Sequence, residues 1–202
     1  MPLELVTPPA AEPVTLSDAK LHLKVDTGDD DALITSLIAA ARARAEWHTG
    51  RAFITQSWRL WLDGWPGARG DGGLPPALSA TPPVPISIPL PPLASVDSIT
   101  TYAMDDSATV MDTSMYQADT ASAPGRIALK VGVAPPVNLR SLNAIAIAFT
   151  AGYGASASDV PDAILRAILM IVADLYANRG DAGVETSAAA LATLAPYRIL
   201  NL

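Results

Sequence analysis

The sequence predicts an α+β protein: a small helical bundle with an antiparallel β-rich insertion and an extended C-terminal tail. Three observations point there. Residues 30–49 and 162–178 repeat apolar side chains at the three- and four-residue spacing of amphipathic helices. From Gln56 the period changes to two, the signature of strands. The breaks between later strand candidates contain Pro, Asp or Gly and no helical period, which favours antiparallel pairing over βαβ units.

Residues 1–14 hold four prolines and little periodicity, and read as an extended N-terminal arm. Residues 15–55 form the first helical part of the body. There Thr15 or Ser17 caps a short helix over 18–24 with Leu21 facing inward, and a turn through Asp26, Thr27 and Gly28 follows. The long helix over 30–49 carries Leu33, Ile34, Leu37, Ile38, Ala41 and Ala45 on one stripe, with Arg42, Arg44 and Glu46 mostly off it. Gly50 supplies its stop.

Residues 56–155 read as the β-rich insertion. Trp58, Leu60 and Leu62 alternate with Ser57, Arg59, Trp61 and Asp63, and further strands are expected at 86–90, 96–102, 126–131 and 144–150. Between them, residues 64–85 are dense in Gly and Pro and read as a long loop. Residues 156–180 complete the body: Pro161 opens a helix over 162–178 with Ile164, Ile168, Ile171, Val172 and Leu175 on its stripe, and Gly180 ends it. Residues 181–202 form the C-terminal tail, Ala-rich and partly helical before it closes in APYRILNL.

Composition narrows the function. A chain of 202 residues buries about 70% of its unfolded surface, enough for a self-standing core. Half the residues are apolar but only 5% aromatic, so much of the apolar material is alanine suited to close helix contacts. The net charge of -7 argues against a surface that grips nucleic-acid phosphates. With no cysteine, disulfides and thiolate metal sites are excluded. The first residues lack the basic and apolar regions of a signal peptide, and no run of about 18 apolar residues occurs, so neither export nor membrane spanning is expected.

Three constellations invite chemistry, and each has a plainer reading. Counted as a calcium loop from Asp26, the acids place Asp31 where Gly is needed and Leu37 where a bidentate Glu is needed. Asp29 as an N-cap, with Asp30 and Asp31 at the positive end of the helix dipole, is the better account. Glu46 and His48 lack the H-E-x-x-H spacing of a zinc helix, and nothing places His22 near a nucleophile. Gly152-x-Gly154-x-x-Ala157 matches the dinucleotide pattern formally, but Pro161 delays the helix and no second parallel strand follows, so the glycines read as a turn. The apolar end, with Tyr197, Arg198, Ile199, Leu200 and Leu202, must either return to its own core or dock elsewhere.

The blocks TLSDAKLHLKVD, DDDALITSLIAAARARAEWHTGRAF, TQSWRLWLDGWP, IPLPPLASVDSI, AFTAGYGASASDVPDAILRAILMIVADLYANRG and LAPYRIL run in order along nearly the whole chain. Together they resemble the head-tail connector (adaptor) proteins of long-tailed bacteriophages and phage-derived gene transfer agents. The loop over 67–85 departs from the family pattern by its length and its Gly and Pro content.

The resemblance implies a structural protein with no catalytic, cofactor or metal site. It would form a dodecameric ring beneath the portal protein, extend the DNA channel and offer a platform to the next tail component, the stopper. It would be made in the bacterial cytoplasm and reside at the head-tail junction of a virion or phage-like particle. By position, Leu33, Ile34, Leu37, Ile38, Ala41, Ile164, Ile168, Ile171 and Leu175 would pack the ring body. Tyr197, Arg198, Ile199, Leu200 and Leu202 would reach toward the portal. Ring closure needs two different patches per subunit. An acidic wall would let double-stranded DNA pass without specific binding, Asp71, Asp105 and Asp106 being loop candidates for it. The alternatives are another tail ring, a stopper or terminator, and a small soluble enzyme.

Overall fold

The computed structural model describes residues 2–67, 84–178 and 186–199. The chain divides into two compact units, one from residues 1–8 and 56–151, the other from 9–55 and 152–202. Helices and antiparallel sheets together give the α+β fold.

The described residues of the first unit form strands and one short 3-10 turn, Thr113–Met115. Its strands are Leu3–Thr7 (β1), Gln56–Leu62 (β2), Ile86–Ile88 (β3), Leu93–Tyr102 (β4), Ala108–Val110 (β5), Tyr116–Asp119 (β6), Gly125–Leu129 (β7) and Ile145–Ala151 (β8). Five form one sheet in the order β1-β2-β8-β4-β5, and β3-β7-β6 form a second. All of these pairings are antiparallel. In β2 the period of two puts Gln56, Leu60 and Leu62 inside. β8 lies between β2 and β4, and Ile145, Ala146, Ile147, Phe149 and Ala151 are all buried, as a central strand requires.

Three strands escape the sequence reading. β1 lies in what reads as a featureless arm, and Leu3, Leu5 and Val6 remain exposed along it. It is an edge strand, held by pairing to β2 with Leu3 opposite Leu60, so burial leaves no trace in its sequence. β5 and β6 are short, with the sequences ATV and YQAD, too little for a period to show.

The second unit is helical: Leu16–Leu23 (α1), Asp31–Thr49 (α2), Asp162–Ala177 (α3) and Ala188–Leu194 (α4). Thr15 caps α1 through a reciprocal box, its hydroxyl accepting from the Asp18 N–H at 3.1 Å while Asp18 accepts from the Thr15 N–H at 3.4 Å. Ala19 is the buried residue of α1, with Leu16 and Leu23 half-buried on the same side. Leu21 is two residues from Ala19, roughly 200° around the helix, and is 81% exposed rather than inward. Gly50 ends α2 in the left-handed region, with φ 68° and its N–H donating to the Glu46 carbonyl at 2.8 Å. The expected stop at Gly180 and residues 68–83 of the long loop lie outside the described residues.

The core of this unit is the seam of α2 and α3. Ile34, Leu37, Ile38, Ala41 and Ala45 pack with Ile164, Ala167, Ile168, Ile171 and Val172, joined by Phe53, Ile54, Ala190 and Leu194. Leu33 and Leu175 are half-buried against it. Just before α3 the backbone turns at Gly152, where φ is 133° and an added Cβ would stand 2.7 Å from the Ile54 carbonyl and the Thr55 nitrogen. Backbone, unlike a flexible side chain, has no room to yield there. Gly152→Ala is therefore expected to destabilise the protein by about 2–4 kcal/mol, read as a lower urea midpoint with an unchanged slope.

Candidate functional site

The acids singled out by the sequence are engaged in holding the helical unit together. Asp30, not Asp29, occupies the N-cap position of α2 and makes no side-chain cap. Its carboxylate instead accepts the Tyr176 hydroxyl of α3 at 2.5 Å. Asp31 takes the Lys20 ammonium of α1 at 2.6 Å. The run that resembled a metal loop thus fastens α2 to both neighbouring helices, and Asp29 stays exposed. Among the described residues no group of three or more His, Asp or Glu is placed to hold a metal ion. None of the described helices is long and apolar enough to cross a membrane.

Glu46 works in a similar way. One carboxylate oxygen accepts the Phe53 N–H at 2.9 Å and the other accepts from Arg42 at 2.7 Å, and Arg42 also donates to Glu12 at 2.7 Å. Burial works against the Arg42 charge, but the hydrogen bonds and charges of Glu12 and Glu46 outweigh it and hold the guanidinium above its ordinary value. This group ties the segment before α1 and the segment after α2 to the same helix. His48 is half-buried and His22 exposed.

At the glycine pair the structure gives a turn and a short 3-10 helix, Ala157–Asp159, with α3 starting only afterwards. Asp159 fills the loop: its Oδ2 accepts the Ser156 N–H and hydroxyl, both at 2.9 Å, and a Cβ on Gly154 would meet that oxygen at 2.2 Å. A phosphate would find a carboxylate already on those donors, held below its usual range by the bonds from Ser156.

The C-terminal segment is the most informative part of the helical unit. Ser187 caps α4, and Ala190 and Leu194 are buried. The 3-10 turn Ala195–Tyr197 then brings the chain alongside the end of α2. Arg51 Nε donates to the Tyr197 carbonyl at 2.5 Å, and the Ile199 N–H donates to the Thr49 carbonyl at 2.9 Å. Tyr197 and Ile199 are half-buried, whereas Arg198 between them is exposed. Burial raises the Tyr153 phenol above its ordinary value while the neighbouring Arg51 pulls it down. Of the tail residues singled out by the sequence, the structure brings Tyr197 and Ile199 onto their own unit; Leu200 and Leu202 lie outside the described residues. Arg51 was missed because its partner is a backbone carbonyl 146 residues away, for which sequence holds no signal.

The residues proposed for the ring body are likewise used internally. Ile34, Leu37, Ile38, Ala41, Ile164, Ile168 and Ile171 are all in the chain's own core. An apolar stripe shows that a face is covered, not by whom. Among the described residues of this unit, the exposed large apolar side chains are Leu21 and Trp47, at 81% and 85% exposure.

Residues 13–121, more than half of the chain, match the model of the phage gp6-like head-tail connector proteins. The chain belongs to this family. The connector is also similar over its whole length to solved chains. One, from the neck of a native gene transfer agent particle computed with C12 symmetry, is 25% identical, with TM-score 0.75 and 97% of that chain covered. Another, from the neck of an empty particle computed with C6 symmetry, is 24% identical with TM-score 0.79, again with 97% covered. A third, from the virion of a native gene transfer agent particle, is 22% identical with TM-score 0.77. No curated protein sequence matches significantly. The connector's role is structural.

Engaged and idle residues separate on substitution. Glu46→Leu strips the Phe53 N–H of its acceptor and Arg42 of a charge partner, and is expected to cost about 2–3 kcal/mol in urea denaturation. Leu21→Ser and Trp47→Ser are expected to stay within about 0.5 kcal/mol of the parent in the same measurement.

Proposed function

We propose that the connector is one subunit of a ring, twelve copies strong, at the head-tail junction of a phage or phage-like transfer particle. It lies between the portal protein and the next tail component and extends the channel through which double-stranded DNA passes. The observation that carries this reading is the full-length likeness to a chain of a neck computed with C12 symmetry. The acidic balance supports it: 20 Asp and Glu against 13 Lys and Arg leave the wall unattractive to phosphate, so DNA slides instead of sticking. Of the exposed acids, Asp105 is held by Ser107 and Asp106 by Arg140, and Asp71 lies outside the described residues.

The role is non-enzymatic. Asp30, Asp31, Glu46 and Asp159 each have a structural partner that accounts for them. The connector docks on the portal through its C-terminal residues, among them Arg198, Leu200 and Leu202.

Mixed with its portal, the connector is expected to give twelvefold rings in electron micrographs. Deleting residues 196–202 is expected to abolish portal binding; undiminished binding would remove the tail from the docking surface. Cross-links confined to tail-tube subunits, with none to the portal, would make the protein a stopper or terminator instead.

A further inference from the structure

We propose that Arg51 is the positioning residue of the C-terminal docking segment, clasping it so that Arg198 is presented outward to the portal. The proposal rests on the portal-docking reading and deepens it.

The geometry is that of a two-point clasp around one residue. Arg51 holds the carbonyl of Tyr197, and the Thr49 carbonyl takes the N–H of Ile199. The residue between them has extended backbone, φ −67° and ψ 130°, so its side chain points to the opposite side from those of its neighbours. That residue is Arg198, and it is exposed while Tyr197 and Ile199 are half-buried.

The anchoring groups are well placed for this work. Thr49 is fully buried, and its carbonyl is one of those a helix end leaves without an internal partner. Ile199 lies against the turn at Gly50, where an added Cβ would sit in ordinary contact, 3.7 Å from the Ile199 Cβ. Among the described residues Arg51 forms no ion pair within 4.0 Å; its Nε donates to the tail backbone, and the Tyr153 phenol is its other neighbour. A segment already held in its docking shape loses less conformational entropy on binding, and Arg is favoured as an interface anchor. Arg198 therefore suits a portal surface offering carboxylates or carbonyl oxygens.

The test measures portal affinity for the full chain, the chain lacking residues 196–202, Arg51→Ala, Arg198→Ala and the double variant. Hydrogen exchange at the Ile199 amide reports the clasp itself. Each single variant is expected to weaken binding about tenfold, and the double variant little more than either, because one acts through the other. Exchange at Ile199 should speed up in Arg51→Ala but not in Arg198→Ala, with α2 core amides protected in both. Wild-type affinity of Arg51→Ala, or losses that multiply in the double variant, would overturn the clasp. Equal binding by the truncated chain would instead overturn the portal reading. Should Arg51→Ala not fold, Arg51→Lys keeps the charge without the planar fork; its affinity is also expected to fall, and wild-type affinity there overturns the proposal.

Discussion

The helical unit depends on how closely α2 and α3 approach. Their seam is built from branched aliphatics interleaved with Ala41, Ala45 and Ala167, all at zero exposure. A larger side chain at any of the three would push the helix axes apart, and interiors packed at crystal-like density do not absorb that without strain. The close seam in turn sets the polar fastenings, because Tyr176 on α3 meets Asp30 at the start of α2 only when the helices lie at this spacing.

Elements with a strong period were legible in the sequence, and elements defined by pairing were not. α2 and α3 begin and end within a residue or two of where apolar spacing, Gly50 and Pro161 place them. β1 was illegible because an edge strand with exposed Leu3, Leu5 and Val6 has no buried face to mark it. Leu21 was misplaced because, in an eight-residue helix, one leucine looks as suited to the core as another, and the small Ala19 holds the inward position.

The candidate site was legible in kind but not in detail. Acids that looked available for chemistry have structural partners, since a carboxylate in a helical bundle finds donors on neighbouring elements as readily as a metal. The apolar stripes assigned to the ring body are covered by the chain's own core. The tail illustrates both sides: its apolar content forecasts docking, and the fold already seats Tyr197 and Ile199 through backbone bonds to Arg51 and Thr49.

The order of strands in the larger sheet bears on how the protein is made. β8 is the last of the described strands along the chain, yet it occupies the centre, flanked by β2 and β4. Before it arrives, β2 has only β1 beside it and β4 only β5, and two-stranded pieces of this kind are marginal in water. A ribosome must therefore deliver residue 151 before the sheet closes, and the apolar faces of β2 and β4 wait through that interval. Such non-local pairing is intrinsically slow, and the nascent chain passes through an aggregation-exposed stage that nothing in the finished fold betrays.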